Sequence, residues 1–217
     1  MPTATSQHIL HGAKALIFDC DGLLIDSEPW QFKARYLAAR MFGQVLTETE
    51  FLYFWFDGNG GSKAYCAKVG IDFKAFDHAK HALYDQFIES GIELCPGVRD
   101  FLKLVQGRYH LALCSNSVKS DLQKVLMRFS LENVFTTIIS GNDLKHGKPD
   151  PEGFLLAAKK SDATPAESVV FENSHIGLMA AKAAGMRCVI VPDALGSKFK
   201  FGAADLVVQR IDEVGVG

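Results

Sequence analysis

Short apolar runs alternate with stretches of helical periodicity through most of this 217-residue sequence. Runs of five to seven residues are short for helices and are typical of strands buried on both faces of a parallel sheet. The runs are KALIF at 14–18, YHLALCS at 109–115, FTTIIS at 135–140, SVVFE at 168–172 and RCVIVP at 187–192. This alternation predicts an α/β fold, with a Rossmann-like parallel sheet core flanked by helices.

The segment 26–94 interrupts this alternation. It predicts three or four helices, among them EPWQFKARYLAARMFG and FKAFDHAKHALYDQFIESG, and contains no run that is typical of a strand. The alternation of strands and helices resumes after CPGV at 95–98. We therefore predict an α/β core domain made of 1–25 and 95–217, with an inserted all-helical domain at 26–94.

Composition argues against several classes of partner. The net charge is -2 and its charges are interspersed, so we expect no basic face for nucleic acid and no polybasic segment for a membrane surface. No apolar run approaches the ~18 residues of a membrane-spanning helix, and the first residues lack the pattern of a secretion signal. Five cysteines without a CxxC spacing argue against a zinc site or a disulfide framework. We expect a cytoplasmic monomer with reduced, mostly buried thiols that acts on a small molecule.

Polar residues follow four of the predicted strands directly or in the next loop. Ligands of parallel α/β sheets bind at the carboxyl ends of the strands, so these side chains are predicted to meet at one edge. Asp19 and Asp21 share one face of an extended chain and repel each other, which requires a cation or a shared proton between them. The candidates are Asp19 and Asp21 after the first strand, Ser115 and Asn116 after the second, Lys148 after the third, and Glu172 and Asn173 after the fourth.

Each of these residues also has a purely structural interpretation. An Asp-x-Asp-Gly sequence can form an Asx turn, and Lys148, which precedes a proline, can be a solvated loop charge. Ser115 and Asn116 can cap the helix predicted from Val118, and Glu172 with Asn173 can cap the helix after the fourth strand. Four such coincidences at successive strand ends are less probable than one shared site, which favours the functional interpretation.

Four motifs together resemble those of the haloacid dehalogenase superfamily, in its subclass with a helical cap domain inserted after the first motif. The motifs are FDCDGLLIDSE, CSNS, the lysine of HGKPDPEGF, and FENSHIGLMAAKAAGM. The set looks most like sugar-phosphate phosphatases and enzymes related to β-phosphoglucomutase. The resemblance implies a Mg²⁺-dependent phosphatase that hydrolyses a small phosphate monoester, such as a phosphorylated sugar, through an aspartyl-phosphate intermediate.

The resemblance also implies roles for the catalytic residues. Asp19 would attack phosphorus and ligate Mg²⁺, and Asp21 would protonate the leaving oxygen and then activate water. The main-chain carbonyl of Asp21 would be a further metal ligand. Lys148 would neutralise charge on the transferring group, Ser115 would donate to a phosphate oxygen, and Asn116 would orient the phosphoryl group or substrate.

Metal binding by the fourth motif departs from the family pattern. Glu172 and Asn173 would complete the Mg²⁺ site, but most relatives carry an acid at the position of Asn173. An amide oxygen can ligate Mg²⁺, although the site then loses a negative charge, and replacing Asn173 by Asp is expected to tighten Mg²⁺ binding. The missing charge leaves open a second interpretation, a catalytically weak protein that binds a phosphate ligand on the same scaffold.

The inserted domain bears on the choice between phosphatase and phosphomutase. In the related sugar phosphomutase, a histidine and an arginine of the cap help to retain a bisphosphate, and these positions fall on Gln31 and near Gly61 or Ser62 here. Arginine grips a second phosphate bidentately, so its absence favours hydrolysis. The predicted substrate contacts of the cap are Gln31, Lys80 and Trp30.

Overall fold

A computed structural model describes residues 8–194 and 199–216. The strands within these residues are β1 Ala15–Phe18, β2 His110–Cys114, β3 Thr137–Ile139, β4 Ser168–Glu172, β5 Arg187–Ile190 and β6 Leu206–Val207. They form one six-stranded sheet in the order β3-β2-β1-β4-β5-β6, and every neighbouring pair is parallel. The predicted α/β fold with a parallel sheet is confirmed.

β1 lies in the interior of the sheet, between β2 and β4. Its Leu16 is in register with Leu111 of β2 and with Val169 of β4. Every residue of β1 is buried, as expected for a parallel strand that is covered on both faces. This two-sided burial explains why the strand appears in the sequence as a continuous apolar run.

Four of the five predicted strands are shorter than the runs that predict them, and β4 matches its run, 168–172. Tyr109 and Ser115 lie outside β2, and Val191 and Pro192 lie outside β5. Proline has no N–H for a sheet ladder, so a strand in the interior of the sheet cannot continue through Pro192. β6 is not among the predicted strands, because two residues are too few to show a periodicity.

The chain divides into two compact units, which we call the core unit and the helical unit. The core unit contains the residues up to Asp26 and those from Leu94 onward, and the helical unit is Ser27–Glu93. All residues of the helical unit are described, and none of them lies in a strand. Its helices are α1 Glu28–Met41, α2 Glu48–Phe51, α3 Gly61–Val69 and α4 Phe73–Ser90, and α2 continues as a π-helical turn, Leu52–Phe56.

Aromatic side chains form the core of the helical unit. α1 packs along α4, and the capping box between Thr47 and Glu50 fixes the start of α2. The aromatic residues that this packing buries are Phe51, Phe54, Phe56, Tyr65, Phe76 and Tyr84.

Helices of the core unit cover the sheet. They are α5 Val98–Val105, α6 Lys119–Phe129, α7 Glu152–Lys160 and α8 His175–Ala183. α7 packs on β2 and β3, and α8 packs on β4 and β5. Small residues such as Ala157 and Ala181 belong to the same buried cluster as Ile17, Cys114 and Val170, which allows these helices to lie close to the strands.

No described helix is long and apolar enough to cross a membrane. Four of the five cysteines are buried, which confirms the expected mostly buried thiols. Cytoplasmic location and a monomeric state stay predictions.

Candidate active site

The carboxyl ends of three neighbouring strands supply the centre of the site. Asp19 directly follows β1, and its backbone N–H donates to the carbonyl of Phe171 in β4 at 3.0 Å. Glu172 is the last residue of β4, and Ser115 is the first residue after β2. Asp19, Glu172 and Ser115 are 7%, 0% and 2% exposed, respectively. Two carboxylates buried in this way require a compensating cation.

Lys148 supplies that cation. Its Nζ lies 2.5 Å from Asp19 Oδ1 and 2.6 Å from Glu172 Oε1, and it also donates to the carbonyl oxygen of Cys114 at 2.9 Å. These three bonds use all three donors of the ammonium group. Lys148 comes from the loop that follows β3, and it thereby connects the ends of β1, β2 and β4.

One ammonium group does not balance the carboxylates around it. Burial raises the pKa of Asp19 to about 8; Lys148 opposes this rise, and the charges of Glu172 and Asp21 add to it. Burial lowers the pKa of Lys148, but the carboxylates of Asp19 and Glu172 outweigh burial and raise it above the usual lysine value. Lys148 therefore stays charged, and the excess of negative charge calls for a proton or a further cation.

Asp21 is held by Ser117, a serine that is not among the predicted site residues. Ser117 Oγ donates to Asp21 Oδ2 at 2.7 Å, and the backbone N–H of Ser117 donates to Ser115 Oγ at 3.0 Å. Ser117 is the second serine of CSNS, so a direct hydrogen bond joins the second motif to the first. The polar composition of CSNS is a signal for this contact, but it does not indicate which serine faces Asp21.

The side chain of Asn116 brackets the backbone of Lys148. Its Oδ1 accepts from Lys148 N at 2.9 Å, and its Nδ2 donates to Lys148 O at 3.4 Å. The predicted alternative, in which Ser115 and Asn116 cap α6, is wrong: the N–H of Lys119 donates instead to Asn142 Oδ1 at 2.8 Å. Asn116 thus positions the loop that carries Lys148.

The carboxylate of Glu172 is fixed by the start of α8. Its Oε2 accepts from Asn173 N, Ser174 N and Ser174 Oγ at 3.0, 3.1 and 2.9 Å. Ser174 Oγ also accepts from Gly177 N at 3.1 Å, so Ser174 caps α8, and the alternative of a cap by Glu172 or Asn173 is wrong. A Cβ at Gly177 would lie 1.9 Å from the carboxyl carbon of Glu172, so a side chain there would displace that carboxylate.

Asn173 is paired with Asp193, an acid that is not among the predicted site residues. Asn173 is 1% exposed, and its Nδ2 donates to Asp193 Oδ2 at 2.7 Å. Asp193 lies three residues after the end of β5. Asp193 directly follows the run RCVIVP, so its position at a strand end is the signal that could have indicated it, although it belongs to none of the four motifs.

The three predicted substrate contacts of the cap lie in the helical unit: Trp30, Gln31 and Lys80. Gln31 is buried and accepts from Arg35 at its backbone carbonyl (2.9 Å) and at its side-chain oxygen. Lys80 is also buried, with Nζ 3.0 Å from His81 Nε2. Trp30 packs against a phenylalanine ring of α4, with ring centroids 5.0 Å apart. Substrate binding by these residues stays a prediction.

Oxygen atoms of several chemical kinds line the core site. Among the residues that the structure describes, no three His, Cys, Asp or Glu side chains form a group that could hold a metal ion. The candidate donors are a carboxylate oxygen of Asp19, the amide oxygen of Asn173 and the main-chain carbonyl of Asp21. Glu172 was also predicted as a metal ligand, but its Oε1 binds Lys148 and its Oε2 binds the start of α8, so metal binding by Glu172 stays a prediction. Hard divalent cations such as Mg²⁺ accept such mixed oxygen ligands, and the negative excess around Lys148 fits a divalent cation.

The family model of haloacid dehalogenase-like hydrolases matches residues 16–191. The chain belongs to this family. The match contains Asp19, Lys148 and Glu172, the three side chains that meet at the centre of the site. The predicted membership of the superfamily is confirmed, and the chain is a haloacid dehalogenase-like hydrolase.

Similar proteins of this family carry names from sugar-phosphate chemistry. A phosphorylated carbohydrates phosphatase of Thermotoga maritima is 32% identical over 179 residues, which cover 80% of this chain and 82% of the relative. A fructose-1-phosphate phosphatase of Escherichia coli is 31% identical over 183 residues, 81% of this chain and 95% of the relative. A solved structure of a candidate β-phosphoglucomutase from Thermotoga maritima is 31% identical, with a TM-score of 0.70 over 93% of this chain and 96% of that one.

Proposed function

We propose that this hydrolase is a Mg²⁺-dependent phosphatase that cleaves a small phosphate monoester, of the phosphorylated-sugar class, through an aspartyl-phosphate on Asp19. One observation carries the proposal: Asp19 is buried at the end of the central strand and is held at 2.5 Å by Lys148. This bond engages Oδ1, and among the described residues no group donates to Oδ2 of Asp19. A carboxylate with one oxygen anchored and the other available is well placed to act as a nucleophile.

Mg²⁺ fits the charge of this site. Asp19 and Glu172 bring two negative charges against the one positive charge of Lys148, and the candidate donors are oxygens. Asp19, the main-chain carbonyl of Asp21, and Asn173 would hold the ion, while Glu172 would contribute charge and anchor Lys148. When bound, Mg²⁺ supplies positive charge that offsets the repulsion between the carboxylates and the substrate phosphate.

The reaction needs two proton transfers, and Asp21 is the residue to make both. In the first step Asp19 Oδ2 bonds to phosphorus, the bond from phosphorus to the sugar oxygen breaks, and Asp21 gives its proton to that oxygen. In the second step Asp21 takes a proton from water, the water oxygen bonds to phosphorus, and Asp19 is released with inorganic phosphate. The hydrogen bond from Ser117 keeps the Asp21 carboxylate within the site.

Lys148 acts chiefly through position and charge. Its three donors already bind Asp19, Glu172 and Cys114 O, so it holds the nucleophile in place while its charge faces the phosphoryl group. Ser115 Oγ accepts from Ser117 N at 3.0 Å, which leaves its own hydroxyl proton for a phosphate oxygen. Catalysis on this scheme depends mainly on positioning and charge compensation.

The test is phosphate release from a panel of esters that includes fructose 1-phosphate and glucose 1-phosphate, with Mg²⁺ and with a chelator. We expect release with Mg²⁺ only, and none from Asp19→Asn. The matched control is Glu132→Gln, which removes one charge from an exposed side chain outside the site. Turnover by Asp19→Asn at the wild-type rate would refute the nucleophile assignment, and efficient conversion of glucose 1-phosphate to glucose 6-phosphate would show a phosphomutase instead.

A further inference from the structure

The hydrogen bond between Asn173 and Asp193 determines which end of the Asn173 amide faces Asp193. Nδ2 of Asn173 donates to Asp193 Oδ2 at 2.7 Å. An ionised carboxylate accepts hydrogen bonds and cannot donate them, so the NH₂ end must face Asp193. The amide oxygen, Oδ1, therefore lies on the side of the amide group away from Asp193.

This choice of orientation matters because the two ends of an asparagine amide have almost the same shape. Packing alone distinguishes them poorly. If the amide were turned by half a rotation, Asn173 would present its NH₂ group, which carries a partial positive charge, in place of Oδ1. The same residue would then repel a cation that it could otherwise bind.

Gly22 makes room for this pair beside the catalytic loop. A Cβ at Gly22 would lie 2.0 Å from Asn173 Nδ2 and 2.7 Å from Asp193 Oδ2. Gly22 directly follows Asp21, so the pair packs against the loop that also carries Asp19. The pair therefore belongs to the immediate surroundings of the nucleophile.

We propose that Asp193 is a positioning residue that orients the amide of Asn173, so that Oδ1 is available as a Mg²⁺ ligand. The proposal rests on the proposed function, since it assumes that Mg²⁺ binds at Asn173. For Asn173→Asp, the proposal adds an effect on stability to the tighter Mg²⁺ binding that the sequence leads us to expect. A carboxylate at position 173 would face Asp193, and the repulsion between them would destabilise the metal-free protein.

The test is a double-mutant cycle read by calorimetric Mg²⁺ binding and by thermal unfolding of the metal-free protein. The variants are Asp193→Asn, Asn173→Asp and both together, with Glu132→Gln as the control for loss of one negative charge. In the presence of Asn173, we expect Asp193→Asn to raise the Kd for Mg²⁺ about tenfold or more. In the Asn173→Asp background both ends of the side chain at position 173 are oxygens, so its orientation no longer matters. The increase in Kd caused by Asp193→Asn should therefore be several-fold smaller in that background than in the presence of Asn173.

Each outcome of the cycle has a defined meaning. Asn173→Asp alone should lower the unfolding temperature of the metal-free protein, and adding Asp193→Asn should restore it. Equal effects of Asp193→Asn on the Kd in both backgrounds would show that Asp193 acts through charge alone and would overturn the proposal, as would an unchanged Kd. If the wild-type protein binds no Mg²⁺, the metal requirement of the proposed function and this inference are both refuted. If the wild type binds Mg²⁺ and Asp193→Asn binds it with the same Kd, only this inference is refuted.

Discussion

Lys148 and Glu172 form an ion pair with 2.6 Å between Nζ and Oε1, and the side chain of Glu172 has no exposure to solvent. The carboxylate of Asp19 forms a second ion pair with the same ammonium group, with 2.5 Å between Lys148 Nζ and Asp19 Oδ1. A single lysine therefore holds together the ends of two adjacent strands, and its removal would leave two buried negative charges without compensation.

Lys148→Met should lower the free energy of unfolding by about 3–5 kcal/mol at pH 8, because breaking a buried ion pair leaves uncompensated charge. Methionine keeps most of the apolar stem and removes the charge. The loss should be smaller at pH 5, which lies below the pKa of about 8 to which burial raises Asp19, because Asp19 is then protonated and carries no charge. Urea unfolding at the two pH values measures both effects, with Lys14→Met, in an exposed ion pair with Glu167, as the control. An effect of Lys148→Met no larger than that of the control would contradict the prediction.

Asp19→Asn should stabilise the metal-free protein at pH 8 by about 1–3 kcal/mol while abolishing turnover. The pKa of Asp19 is about 8 in the folded protein against 3.8 as its ordinary value. The folded state therefore binds more protons between these values, and wild-type stability falls as pH rises through this range. Thermal unfolding with a chelator across pH 5 to 9 should show this fall for the wild type and a flatter curve for Asp19→Asn. Parallel curves for the two proteins would count against the raised pKa.

Asn116→Ala should lower kcat about 10²-fold with a smaller change in KM, because it releases the backbone of Lys148 and misplaces its ammonium group. If Asn116 instead binds substrate, as the sequence led us to expect, KM should rise most. Steady-state kinetics distinguish the two roles. Asn133→Ala is the matched control, since Asn133 is exposed and its side chain makes no hydrogen bond to a described residue.

Gly22→Ala should destabilise the protein by about 2–5 kcal/mol, because the cost of a positive φ and the cost of steric overlap add. The φ of Gly22 is 76°, and a Cβ there would lie 2.0 Å from Asn173 Nδ2. Gly107 has a φ of 79°, and a Cβ there would meet no atom within 4 Å, so Gly107→Ala isolates the cost of the backbone conformation, about 1 kcal/mol. Equal losses in the two variants, measured by denaturant unfolding, would show that the close approach to Asn173 can be relieved.

The sequence by itself determined the sheet and the edge at which the site lies. The central strands are local features, since a parallel strand buried on both faces must be a continuous apolar run. Because the strands are parallel, their carboxyl ends share one edge of the sheet. Asp19, Ser115 and Glu172 therefore meet at that edge for any conformation of the loops. Only β6 escaped this reasoning, because its two residues carry no pattern.

Only the tertiary structure decided how the polar groups at that edge are paired. Lys148 bonds to Asp19 across 129 positions of sequence, Ser117 bonds to Asp21 across 96, and Asn173 bonds to Asp193 across 20. A hydrogen bond depends on a few tenths of an ångström and on the direction of the donor, whereas residue type and spacing constrain position only to an element or a loop. The sequence therefore placed the charges at one edge, and the packing of the strands and loops selected which of them touch.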